Sequence, residues 1–153
     1  MLTTGVIDLR AGVAPATPTT ATNGDPRVYL DAARTSLAAG RPEEALSAAR
    51  SAIGAAPTNA EARLTAARAL RRLRRVAEAS DELRRAAELD PGHPDIQLEL
   101  GYAAVCQGDL RTAVERWEQF LRAAPGSIAA DEVRDALASA SRLSEFLETY
   151  AGV

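Results

Sequence analysis

Among the 153 residues of this chain, the side chains whose types could do chemistry are His93, Cys106 and a cluster of arginines. They could supply a base, a thiolate or an anion-holding surface. His93 is the single histidine and lies in Pro91-Gly92-His93-Pro94, where prolines and a glycine predict a turn. A surface turn residue is expected there, not a catalytic base. With one histidine, a Ser/His/acid set or a His-based metal cluster cannot be assembled, and a glycine-rich phosphate loop is missing. The expectation is therefore no enzyme, no metal and no cofactor. Cys106 has arginine nearby, which favours thiolate, but it is expected to fill a small gap as an apolar residue. A lone cysteine excludes an intramolecular disulfide and fits a reducing compartment. Arg68, Arg71, Arg72, Arg74 and Arg75 form the one conspicuous charge run. Arg68, Arg72 and Arg75 share a helical face, and a guanidinium grips carboxylate bidentately, so the run points to an acidic partner segment.

The whole composition restrains that reading. The 18 arginines stand beside 34 alanines and no lysine, a bias with the look of codon pressure, so single arginines carry less weight. A net charge of −3 and a pI near 5.3 argue against a dedicated nucleic-acid binder, which would need to neutralise phosphates. The charge is uneven: residues 60–93 hold 8 arginines against 6 acids, and residues 94–127 hold 3 against 5. Met1 to Arg10 lacks a basic start and an apolar run, so no secretory signal is expected, and no stretch is apolar enough to span a bilayer. A cytoplasmic protein without membrane contact is the expectation.

The elements that must position these residues repeat. Sliding the chain against itself gives agreement at an offset of 34: Ala45, Ala79 and Ala113; Pro57, Pro91 and Pro125; Ala33, Ala67 and Gly101; Ala52, Ala86 and Phe120. Each period holds two amphipathic helical stretches around a short turn. In the third, Ile96, Leu100 and Ala103/Ala104 mark one helix, Gln107-Gly108-Asp109 the break, and Leu110, Ala113/Val114, Trp117, Phe120 and Leu121 the stripe of the next. Trp117 and Phe120 are expected in the core. Gly40-Arg41-Pro42 makes the first turn, whereas Arg74-Arg75-Val76 makes the second without a glycine. The prolines close the second helices. Val133, Ala136/Leu137, Ala140, Leu143, Leu147 and Tyr150 predict a last helix over about 128–150, with acids at its start and Ser127 as N-cap. Residues 1–25 are Thr-, Pro- and Ala-rich and are expected to be flexible, with Val6-Ile7-Asp8-Leu9 a short apolar alternation that could act as a docking motif.

A 34-residue helix–turn–helix period with small residues at unit positions 8 and 20 and proline at 32 resembles the tetratricopeptide repeat family, over Pro26 to about Ser127. The resemblance implies an all-α, right-handed solenoid of repeats 26–59, 60–93 and 94–127 with a capping helix, together a domain over 26–153. Arg63 and Gln97 stand where the family often has an aromatic, a departure expected to loosen packing. The resemblance further implies that unit positions 2, 5, 9, 12 and 13 line a concave groove. On this chain the candidate partner-binding residues are Arg27, Leu30, Arg34, Leu64, Arg68, Arg71, Arg72, Leu98, Tyr102 and Val105. Positions 5, 9 and 12 share one face by helical spacing alone.

A leucine row beside an arginine row suits a peptide or partner helix with apolar anchors and a carboxylate. The expected function is thus a scaffold or adaptor that binds a protein or peptide segment of acidic character. The family's clamp for chaperone C-termini uses lysines and asparagines on this face; the chain has no lysine, and Asn23 and Asn59 lie outside these helices, so that binding is not expected. Two other readings stay open: an assembly subunit self-associating through the open first repeat, by Val28, Tyr29 or the Val6–Leu9 segment, and a chaperone-like factor of a secretion or assembly system.

Overall fold

A computed structural model describes residues 24–151, so the lead-in and its Val6–Leu9 motif lie outside the described residues. Among the described residues seven helices follow one another: α1 Pro26–Ala38, α2 Pro42–Ala55, α3 Ala60–Arg72, α4 Val76–Leu89, α5 Pro94–Cys106, α6 Leu110–Ala123 and α7 Ala130–Tyr150. Each packs on its sequence neighbour, and α1 touches α3 and α3 touches α5, which is the nearest-neighbour stacking of an α-solenoid. No helix among the described residues is long and apolar enough to cross a membrane.

Helix starts and stops recur at the same register. Asp25 and Asn59 cap α1 and α3, accepting from the Arg27 and Ala62 amides at 2.9 and 3.1 Å. Asp109 caps α6 through the Thr112 amide at 3.0 Å, and those hydrogen bonds hold its carboxyl below the usual range. The turns inside the pairs close with one bond pattern. Arg41 donates to the Ser36 carbonyl, Arg75 to that of Leu70 and Asp109 to that of Ala104, each spanning five residues as a Schellman turn does. The residue that turns the chain has φ of 72° at Gly40, 62° at Arg74 and 77° at Gly108. Arg74 therefore adopts the glycine conformation, and the second turn has the shape of its neighbours despite lacking glycine. One cap differs from expectation: α7 begins after Ala129, and the Ser127 hydroxyl accepts from the Ala129 amide at 3.4 Å in a preceding turn.

The periodic small residues are the packing columns. Ala33, Ala67 and Gly101 are buried, as are Ala45, Ala79 and Ala113, and Ala52, Ala86 and Phe120. Small side chains let helix axes approach closely, which is why they recur. At Gly101 the need is strict, because a Cβ there would collide with the indole of buried Trp117. Arg63 and Gln97 do not loosen the pairs. Arg63 bonds Glu82 at 2.9 Å and the Pro57 carbonyl at 3.0 Å. Gln97 donates to the Pro91 carbonyl at 2.8 Å and accepts from Arg116 at 3.2 Å. Both bridge the second helix of their own pair to the proline turn before them, so a polar strut replaces an aromatic plug.

Candidate functional site

Side chains of α1, α3 and α5 line a pocket of about 440 Å³, formed by Arg34, Leu37, Ala38, Thr65, Arg68, Arg71, Arg72 and Glu99. First helices of three successive pairs build it. The leucines of the candidate set are absent from it. Leu30, Leu64 and Leu98 are buried in three separate core clusters, so they hold helices together and are withdrawn from any surface. Their column points inward because it lies between the polar column and the helix behind.

The arginines are on the surface, but three of them are already engaged by acids of the chain itself. Arg34 pairs with Glu61 at 2.6 Å and Arg68 with Asp95 at 3.0 Å, each reaching 27 residues forward into the next repeat. Arg68 and Arg71 both bond Glu99, through their Nε atoms at 3.0 Å. Glu99 is 5% exposed, so this carboxylate sits under two guanidinium groups as the floor of the network. Burial opposes the charge on Arg68, but the hydrogen bond to Asp95 and the field of Glu99 outweigh it and raise its pKa. Thr65, also buried, donates to the Glu61 carbonyl at 2.8 Å.

Arg72 is different. Its Nη1 donates to the Leu37 carbonyl at the end of α1, a neutral acceptor, and it makes no ion pair among the described residues. Arg72 is thus held in place by a carbonyl while keeping a whole positive charge. Arg27 occupies the column of Glu61 and Asp95, but no arginine of an earlier repeat faces it, and it too lacks an ion pair among the described residues. Tyr102 takes the arginine position of the third pair. It stacks edge-on against Trp117, with Arg71 over its ring at 5.8 Å. Burial first, then the Glu132 and Glu99 carboxylates, push its phenol above the ordinary range. Val105 is exposed at the end of α5.

Two residues differ from expectation. Cys106 is exposed and fills no gap. His93 is half-buried at the start of α5, its Nε2 3.1 Å from Glu61 and its Nδ1 buried without a hydrogen-bond partner. It extends the network to Arg34–Glu61–His93. No group of three His, Cys, Asp or Glu side chains is placed to hold a metal among the described residues. Position 2 of the groove columns already held Glu61 and Asp95, but sequence reasoning did not pair them with the arginines, and it missed Glu99 and Thr65 as parts of this face. The signal was there in two columns of opposite sign, 27 residues apart: Arg34 and Arg68 against Glu61 and Asp95.

A tetratricopeptide repeat family model matches residues 36–97. No curated protein matches the chain by sequence. Among solved structures, the first repeat domain of Spaghetti (RPAP3), bound to the HSP90 peptide SRMEEVD, is 21% identical with a TM-score of 0.73. That match covers 79% of this chain and 94% of the other. The TPR2B domain of yeast Sti1, in complex with an Hsp70 peptide, is 19% identical with a TM-score of 0.70, covering 77% and 97%. The repeat domain of Sgt2 from Aspergillus fumigatus is 19% identical with a TM-score of 0.72, covering 86% and 89%. At these identities the similarity is one of fold.

Proposed function

We propose that this chain, a tandem tetratricopeptide-repeat protein, is a non-enzymatic adaptor that takes a peptide or partner segment across α1, α3 and α5. The observation that carries the reading is Arg72: a guanidinium fixed by the Leu37 carbonyl, without an acid partner among the described residues, at the wall of a pocket about 440 Å³ in volume. A carboxylate of the incoming segment is the natural complement to that charge, and Leu37 and Ala38 beside it suit a neighbouring apolar side chain. Peptides of chaperones bound to structural neighbours support a protein or peptide ligand.

The internal pairs set the specificity expected of this face. Arg34, Arg68 and Arg71 carry their own carboxylates, so a strongly acidic ligand would have to compete for them. One acid placed at Arg72, flanked by apolar or hydrogen-bonding residues, fits better than a run of acids. The chain has no lysine with which to form the lysine-based grip expected of chaperone-tail binders.

The test is peptide selection from a random display library on the full chain, with wild type and Arg72→Glu screened side by side. Wild type is expected to enrich peptides with one conserved acid. Arg72→Glu is expected to weaken those peptides about tenfold or more, the value of one charge-assisted pair, with helical content unchanged. Equal binding by the folded variant would move the ligand site elsewhere.

A further inference from the structure

The two ends of the solenoid expose faces that are buried everywhere else in it. At the front, Val28 of α1 is 64% exposed, whereas the residues at its register in the later first helices and α7, namely Ala62, Ile96 and Ala130, are buried. Asp31, Ala32 and Thr35 share this face, and their counterparts Thr65, Ala66 and Ala69 are buried too. In α3, α5 and α7 this face receives the second helix of the preceding pair. Nothing among the described residues receives it in α1.

At the back, α7 has 21 residues against 14 in the α6 it packs on, and its last turns carry an unpartnered stripe. Leu143, Phe146, Leu147 and Tyr150 stand at i, i+3, i+4 and i+7, all about half exposed, with the Phe146 and Tyr150 rings 4.5 Å apart. The stripe has a counterpart in the chain. Arg142-Leu143-Ser144-Glu145-Phe146-Leu147 reads like Arg116-Trp117-Glu118-Gln119-Phe120-Leu121 of α6. In α6, Phe120 lies in one buried cluster with Val133 and Ala140 of α7, so that stripe is what a second helix offers the next helix in the stack. Among the described residues, the end of α7 thus has a second-helix stripe with no following helix, and α1 has a first-helix face with no preceding one.

We propose that the occupant of each end is a second copy of this chain: the Leu143–Tyr150 stripe of one molecule docks on the Val28 face of another, continuing the stack head to tail. The contact is heterologous, so it propagates instead of closing into a two-fold dimer. An interface of one helix face is small by the standard of stable complexes, and the association is expected in the micromolar range. This inference does not depend on the groove, since none of the residues involved lines it.

Sedimentation and light scattering on the full chain test it, with Val28→Glu and Phe146→Glu, both at exposed positions and checked for unchanged helical content. The wild-type average mass is expected to rise with concentration through the micromolar range without a plateau at the dimer. Each variant alone is expected to stay at 16.1 kDa. An equal mixture of the two variants is decisive, because the intact back of Val28→Glu fits the intact front of Phe146→Glu and should give a capped dimer at twice that mass. A wild type that remains monomeric at high micromolar concentration overturns the proposal. So does a Val28→Glu protein that still self-associates, which would mean pairing of two α7 stripes, or a Phe146→Glu protein that does, which would put residues 1–23 or another surface on the α1 face.

Discussion

Glu99 controls how much of the arginine charge is available. Its carboxylate sits buried under Arg68 and Arg71, and removing its charge leaves two guanidinium groups short of a partner. Glu99→Gln is expected to cost about 1.5–3 kcal/mol of unfolding free energy in urea denaturation, the range for hydrogen bonds to charged groups. The same variant is expected to bind acidic peptides more tightly than wild type, because Arg68 and Arg71 are released from internal competition. Weaker peptide binding by a folded Glu99→Gln protein would show that the carboxylate orders the face for ligand instead of competing with it. The arginines were legible in the sequence as a charged helical face. That their charge is spent internally was not, since Glu99 lies 31 and 28 residues from its partners and meets them only when repeats stack.

Helices and turns were the most legible scale. Prolines, glycines and small residues repeating every 34 positions located each helix pair, because chain breakers and packing columns act locally or on the next helix. The second turn is the informative exception. Arg74 holds φ of 62° where Gly40 and Gly108 hold 72° and 77°. A side chain in the left-handed region costs roughly 1 kcal/mol, which the Schellman closure around it offsets. Arg74→Gly is therefore expected to stabilise the protein by roughly 0.5–1 kcal/mol, less the extra chain entropy of glycine. Thermal unfolding should show a gain of about 2–4 °C, and a loss would mean that the Arg74 side chain contributes more than its strain.

At the scale of the molecule, stacking is between neighbours only, so cohesion should be greatest where a helix has partners on both sides. Helices α2 to α6 have them, with α3, α4 and α5 furthest from either end, whereas among the described residues α7 contacts α6 alone and α1 has no helix in front of it. Hydrogen exchange at low concentration is expected to be slowest in α3–α5 and fastest in α1 and the last turns of α7, with uniform protection contradicting this. The amino-acid sequence by itself determined the period, the helix pairs and the all-α solenoid, because these follow from local breakers and from columns of small residues that any stacked neighbour must meet. Tertiary structure alone decided which of two adjacent columns faces out. It buried Leu30, Leu64 and Leu98, paired Arg34 and Arg68 with acids one repeat on, and left Arg72 with a carbonyl and an unspent charge. Helical spacing places columns side by side, but which side is covered depends on where the next helix packs.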